Sequence, residues 1–239
     1  MKISSEAITM IKEGKSLNQI IKSTSFNKSS LYYHYKKLNG KKFKHVTINE
    51  KDKEKIGEFL GIFAGDGNFY FSKKLYKYSI RIYTGLYEKQ YADYINNFLK
   101  ELFKKEPQRY VNKDNNVITT CYYSKDIYEL IKKYLIWEDN KTKTIRLKVI
   151  RDKDKAFLIG FLRGLFDTDG GIYKPKKKVA FGTASENLAN QIREIIVQLG
   201  MTPGFYKYKN KDFWYLDMYG ENSYKFMKLI KPHNKNKVL

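Results

Sequence analysis

The 239-residue sequence contains one cysteine, Cys121, which excludes an intrachain disulfide and any metal cluster built on cysteines. It has no segment long and apolar enough to span a membrane, and Met1–Lys15 lacks the layout of a secretory signal. No membrane partner is expected, and the reading is a soluble, cytoplasmic, nucleoid-associated protein. Acidic residues are scarce, with 25 Asp and Glu against 47 Lys and Arg, for a formal net charge of +22. A charge that large implies a polyanionic partner, although a lysine-rich solvated surface is the plainer reading. Hydrophobic residues make up 42% of the chain, enough for one or two domains with a real core and too many for disorder. Aromatics reach 16%, chiefly tyrosine among the lysines, which suits contacts with bases and sugars. Nucleic acid is therefore preferred to a membrane or an acidic protein.

The chain repeats itself. "IGEFLGIFAGDGNFY" (56–70) aligns with the stretch ending "FLIGFLRGLFDTDGGIY" (157–173) at an offset of 169 − 66 = 103. Gly57, Gly61, Asp66, Gly67 and Tyr70 then fall on Gly160, Gly164, Asp169, Gly170 and Tyr173. The downstream segments match as well. After each apolar run come two strand-like stretches, an amphipathic helix, two more strands and a closing helix. The turn at Asp114-Asn115-Asn116 joins one strand pair and Asn210-Lys211 the other. Ser185 caps the helix that Gly200 ends. In "DFWYLDMYG" the residues Trp214, Leu216 and Met218 share one face, and Tyr215, Asp217 and Tyr219 the other, as in a sheet with one side on helices and one on solvent or a ligand.

Gly57-xxx-Gly61 and Gly160-xxx-Gly164 put glycines one turn apart on each apolar helix, which lets two backbones approach closely. Parallel packing would bring out both C-termini together, with Asp66 and Asp169 as neighbours. An acid at a helix C-terminus is unfavourable by a few tenths to about 1 kcal/mol. Two acids, two negative helix ends and several last-turn carbonyls would converge, and a cation must neutralise them. Their oxygens are hard ligands, which select Mg²⁺ (or Mn²⁺). Each acid precedes a glycine suited to a left-handed C-terminal turn. A single Asp-Gly is ordinarily just a turn signal; two in register, each ending a Gly-xxx-Gly helix, are not.

"LGIFAGDG" (60–67) and "LRGLFDTDG" (162–170) resemble the two motifs of the LAGLIDADG homing endonucleases, over about residues 51–239. The resemblance implies an α+β fold: two pseudo-twofold αββαββα repeats packed through their motif helices, with antiparallel, saddle-shaped sheets set in the DNA major groove. The expected domains are 46–145 and 146–239 for the repeats. It further implies a monomeric, metal-dependent endonuclease that cuts double-stranded DNA at a long asymmetric site and leaves short 3′ overhangs. Asp66 and Asp169 would bind the metal, with the carbonyls of Gly65 and Thr168 as further ligands. A basic residue after the last helix of each repeat would reach toward the scissile phosphate. Matching the tails "NKTK" (140–143) and "NKNK" (234–237) makes Lys141 and Lys235 the first candidates, with Lys143 and Lys237 next. Arg81, Lys113, Lys174, Lys207 and Lys209 are candidate DNA contacts on the strands and their turns. The earlier acid of the motif is Asp167 in the second copy and Ala64 in the first. Relatives that act as maturases or regulators define the rival reading, a nuclease-inactive DNA- or RNA-binding protein, with intron RNA as a second partner. No splice residues of an intein frame the domain, so a free-standing or intron-encoded enzyme is expected. A signalling or structural protein would leave the paired motifs unexplained.

Residues 1–45 lie outside the repeat and read as three short helices. Ser4 or Ser5 caps the first, which stops at Gly14; Ser16 caps the second; Asn27 caps the third, which Gly40 ends. This resembles a helix-turn-helix DNA-binding module whose third helix offers Ser29, Ser30, Tyr32, Tyr33, His34 and Lys36 to phosphates and bases. A helical bundle for protein contacts is the alternative. His34 and His45 have no partner at metal-ligand spacing and read as DNA-facing or exposed. The charged stretch "KKFKHVTINEKDKEK" reads as a linker.

Overall fold

A computed structural model describes residues 3–39, 46–72, 77–148, 154–209 and 211–237. The chain forms two compact units, Met1–His45 and Val46–Leu239.

In the first unit, side chains start all three helices. Ser4 Oγ accepts the Ala7 N–H at 3.2 Å to open α1 (Ser5–Lys12). Ser16 and Gln19 cap α2 (Leu17–Ser23) reciprocally. Asn27 Oδ1 accepts the Ser30 N–H at 2.8 Å to open α3 (Lys28–Asn39). Beyond α1, Gly14 turns the chain with a left-handed φ of 78°. Ile3, Ala7, Ile11, Ile20, Leu31 and Tyr35 close the core. Gly40 and His45 lie outside the described residues.

The second unit is two copies of one pattern. The first runs α4 (Lys53–Asp66), β1 (Gly67–Ser72), β2 (Lys77–Gly85), α5 (Lys89–Phe103), β3 (Gln108–Asn112), β4 (Val117–Tyr123) and α6 (Lys125–Tyr134). A short strand β5 (Leu135–Ile136), the one-turn helix α7 (Lys141–Thr144) and β6 (Arg146–Leu147) follow. The second copy runs α8 (Lys155–Asp169), β7 (Gly170–Tyr173), β8 (Lys178–Thr183), α9 (Glu186–Gln198), β9 (Gly204–Lys207), β10 (Trp214–Tyr219) and α10 (Gly220–Ile230), ending in a 3₁₀ turn at Lys235–Lys237. The sheets have orders β1-β2-β4-β3 and β7-β8-β10-β9, antiparallel throughout, so each copy builds the same topology. The β5–β6 pair is a small ladder of its own that the sequence reading lacked. The β3–β4 connection turns through Asn116 at φ 51°. Asn210, expected in the matching turn, lies outside the described residues.

The two motif helices α4 and α8 pack in parallel at the centre of a continuous apolar core. A Cβ at Gly61 would lie 2.1 Å from the Phe161 carbonyl oxygen, and one at Gly164 would lie 2.1 Å from that of Glu58. Gly57 and Gly160 meet Phe157 and Glu54 in the same way. No side chain fits these positions, because backbone atoms of the partner helix occupy the space. The apolar faces of α5, α6, α9 and α10 join this core with Ile95, Leu99, Ile131, Ile192 and Phe226. Leu216 and Met218 of β10 point inward as expected.

Candidate active site

Parallel packing of α4 and α8 carries both C-termini to one place. A Cβ on Gly65 would lie 2.1 Å from Thr168 Oγ1 and 3.1 Å from Asp169 Oδ2, so the second motif's carboxylate reaches the last turn of the first. Asp66 is half-buried and Asp169 opens to solvent. The glycines that follow correct one expectation. Gly67 (φ −82°, ψ 147°) and Gly170 (φ −71°, ψ 156°) are extended rather than left-handed and lead straight into β1 and β7. Glycine is needed there for space: a Cβ would lie 2.4 Å from the Phe63 or Phe166 carbonyl oxygen, one helical turn back.

Two lysines meet these helix ends. Lys141 Nζ donates to the carbonyls of Gly65 (3.1 Å) and Gly67 (2.6 Å). Lys237 Nζ donates to those of Thr168 (2.5 Å) and Gly170 (2.6 Å). The acceptors are equivalent in the two repeats, so Lys141 and Lys237 form the symmetric pair. This corrects the assignment of Lys235, which is exposed; Lys143 is likewise exposed. The two tails are not alike: Lys141 begins the helix α7, which Asn140 caps, whereas Lys237 ends a 3₁₀ turn. Counting from the closing helices restores the register, since 141 − 134 and 237 − 230 both equal 7. The tail "NKNK" holds two Asn-Lys pairs, and the second is the counterpart of Asn140-Lys141.

The electrostatics of the centre follow from excess negative charge out of water. Burial, then the carboxylate of Asp169, push the Asp66 carboxyl up to about 7 against the pull of Lys237 and Lys141. Desolvation by the protein packed around it also raises Asp169, although part of the side chain meets solvent, again opposed by the two lysines. Burial lowers Lys141 to about 8, although both acids favour its charge. Lys237 is lowered for the same reason. The oxygens available to a metal are the two carboxylates and the carbonyls of Gly65 and Thr168, all hard donors that suit a cation of the Mg²⁺ type. Ammonium groups already sit on both carbonyls, which demonstrates the negative potential there. A cleft of ≈ 420 Å³ lies beside this centre, lined by Gly65, Lys141, Asp169, Gly171 and residues of the second sheet such as Tyr215.

Behind the carboxylates lies a buried polar network that sequence reasoning missed. Arg163, on α8, donates to Glu58 (3.0 Å) and Glu54 (2.5 Å) of α4 and to the Ile230 carbonyl. His233 Nδ1 lies 2.9 Å from Glu58 Oε1, and the Tyr94 hydroxyl also donates to that oxygen. Burial pushes Glu58 up, but His233, Tyr94 and Arg163 outweigh it and hold the carboxyl below its usual range. Asp167, also buried, is pushed up to about 6, chiefly by burial. No local signal marks this network, because its members lie up to 175 residues apart.

The other expected contacts lie apart from this centre. Arg81 is half-buried on β2, where its Nε donates to Ser79 Oγ at 3.1 Å. Lys113, Lys174, Lys207 and Lys209 are exposed, and Lys207 pairs with Asp212 at 2.9 Å. On the sheet face opposite Leu216, the buried Asp217 accepts from Lys178 (3.0 Å), Tyr206 (3.0 Å) and Tyr219 (3.2 Å). This charged cluster was not foreseen beyond the face assignment of β10. In the first unit, Ser29, Tyr32, Tyr33 and Lys36 are exposed on α3, while Ser30 and His34 are half-buried.

A family model described as a LAGLIDADG-like domain matches residues 156–231. The Replication factor C small subunit of Methanocaldococcus jannaschii is 29% identical over 178 residues, covering 71% of this chain and 9% of that protein. The ATP-dependent DNA helicase Hel308 of the same organism is 28% identical over 186 residues, covering 70% and 13%. The chain thus spans about a tenth of the length of these curated relatives. Among solved structures, I-DmoI in complex with DNA and Mn is 16% identical with a TM-score of 0.59, covering 76% of this chain and 98% of that one. The N-terminal LAGLIDADG domain of DUF199/WhiA is 16% identical with a TM-score of 0.53, covering 78% and 87%. Duplicated motif, central helix pair and twin four-stranded sheets define a two-repeat α+β scaffold of the kind found in the homing endonuclease I-DmoI. Residues 156–231 thus match a LAGLIDADG-like domain, and about three quarters of the chain shares the two-repeat fold of I-DmoI.

Proposed function

We propose that the protein is a site-specific, divalent-metal-dependent endonuclease that hydrolyses both strands of double-stranded DNA. The observation that carries this reading is the convergence of Asp66 and Asp169 with Lys141 and Lys237 at the ends of two motif helices. In this reading Asp66 and Asp169, with the carbonyls of Gly65 and Thr168, hold Mg²⁺ or Mn²⁺. Bound there, the metal would activate water and stabilise the departing oxygen of a phosphodiester. Lys141 and Lys237, displaced from those carbonyls, place positive charge beside the phosphate, where charge grows in the transition state. The solvent-facing sheet residues, among them Arg81, Tyr206 and Tyr215, meet the major groove. The unit at residues 1–45 acts as a helix-turn-helix-like module that extends the contact. One chain contributes both motifs, so a monomer suffices. With a net charge of +22, binding draws on counterion release and weakens steeply with salt.

The test is selection of cleaved sequences from a randomised or genomic DNA pool with Mg²⁺, with Asp66→Asn as the control. Cleavage at a defined site by the wild type alone supports the proposal. Tight DNA or RNA binding without cleavage under any divalent metal would favour the rival reading, a nuclease-inactive regulator or maturase.

A further inference from the structure

The second repeat carries a carboxylate that the first lacks. Asp167 stands where the first motif has Ala64, at the same offset of 103. Its side chain is 1% exposed, and burying a carboxylate beside further acids is costly unless its oxygens are bonded. They are bonded to one segment, the tail that leads to Lys237. Asp167 Oδ2 accepts the His233 N–H and Oδ1 accepts the Asn234 N–H, both at 3.0 Å. The Asp167 carbonyl accepts from Asn234 Nδ2 at 3.0 Å, and the same amide donates to Glu88 Oε1 at 2.8 Å. Asn234, 1% exposed, then builds the turn: its Oδ1 accepts the Asn236 N–H at 3.1 Å and its carbonyl the Lys237 N–H at 2.8 Å. That turn delivers Lys237 Nζ to the carbonyls of Thr168 and Gly170.

The first repeat reaches the same result without the motif helix. Ala64 offers no side-chain acceptor. Lys141 stands on α7, which is held by Asn140 Oδ1 on the Lys143 N–H (3.4 Å) and by the Thr144 hydroxyl on the Asn140 carbonyl (2.7 Å). One lysine is therefore tied to its motif helix through a carboxylate and the other rests on a self-capped turn.

We propose that Asp167 is a positioning residue that fixes Lys237 at the Asp169 half of the centre, so that cutting of one DNA strand depends on Asp167 and cutting of the other does not. The statement about strands rests on the endonuclease reading; the statement about Lys237 does not. Asp167→Asn keeps the shape but sets an amide N–H₂ against a backbone N–H.

Two measurements test it. In metal-free, DNA-free protein, reductive methylation followed by mass spectrometry should show Lys237 labelled several-fold faster in Asp167→Asn, with Lys141 unchanged. Equal labelling of Lys237 in variant and wild type overturns the proposal. With duplex substrate labelled on both strands, under single-turnover conditions at saturating protein, Asp167→Asn should slow one strand by about 10–100-fold, the range for lost orienting groups around a catalytic site. Lys237→Met should slow the same strand, Lys141→Met the opposite one, and adding Asp167→Asn to Lys237→Met should cost little more. Equal slowing of both strands, or slowing of the strand that Lys141→Met affects, overturns the proposal. Asn234→Ala breaks the same link one residue further along and is read identically if Asp167→Asn fails to fold. If the wild type cuts no DNA, the endonuclease reading falls, and the labelling ratio alone decides the role of Asp167.

Discussion

Replacing Asp66 by asparagine should stabilise the metal-free protein while removing its metal response. In the folded chain the Asp66 carboxyl lies at about 7, against an ordinary value of 3.8, because burial and Asp169 both disfavour its charge. At about 1.4 kcal/mol per pH unit, that displacement corresponds to an upper bound of about 4 kcal/mol against the ionised form. Asp66 is only half-buried, and an amide at the same place still loses hydration, so asparagine should recover about half, ~2 kcal/mol. For a unit of this size, about 2–4 °C per kcal/mol translates this into a Tm about 4–8 °C higher, read at pH 8 in EDTA. The sign follows from proton binding. Between about pH 4 and 7 the native carboxyl holds a proton that the unfolded one has released, so wild-type stability falls as pH rises through this window and levels off above it. Asp66→Asn should show a shallower decline, because Asp167 and Asp169 are also raised and still titrate. Added Mg²⁺ should raise the wild-type Tm and leave the variant's nearly unchanged. A variant melting at or below the wild type at pH 8 in EDTA, with an unaltered pH profile, would refute the reasoning.

Gly61→Leu, whose Cβ must meet the Phe161 carbonyl, should cost at least about 3 kcal/mol, seen as a large loss of Tm or of soluble protein, whereas Gly171→Ala, where the added carbon meets open space, should melt like wild type. Under single-turnover, saturating conditions Lys141→Met and Lys237→Met should each slow their cleavage step by about 100-fold, as for a lost transition-state donor, while Lys235→Met stays within a few-fold. Arg163→Met leaves Glu58 Oε2 without its ion pair while His233 and Tyr94 still hold Oε1, and should lower stability in urea titration by about 3 kcal/mol; a change under 1 kcal/mol would show that the pair is not desolvated as its geometry implies. Deleting residues 1–45 should weaken DNA binding and shorten the footprint without altering the Tm gain from Mg²⁺; an unchanged footprint would assign the module another role.

By itself the sequence determined the features whose cause is local or periodic. Helix starts at Ser4, Ser16, Asn27 and Ser185 are legible because a side chain caps a backbone three residues on. The Gly-xxx-Gly faces and the paired Asp-Gly ends are legible because a repeat at a constant offset preserves one physical demand, close backbone contact, and places an acid beside it. The net charge of +22 is legible without any fold, and the expectation of a polyanionic partner rests on it. Tertiary structure decided what depends on distance through space. Which lysine reaches the end of the second motif helix could not be read from "NKNK", because two Asn-Lys pairs compete and only the length from the end of α10 selects the second. The glycines after the acids were misread because their constraint is a carbonyl one turn back, not a left-handed turn. Asp167 looked like a variable motif position until its oxygens were seen on the backbone of His233 and Asn234, a contact of residues 66 and 67 positions apart. A packed core of parallel helices creates such neighbours, and no local pattern encodes them.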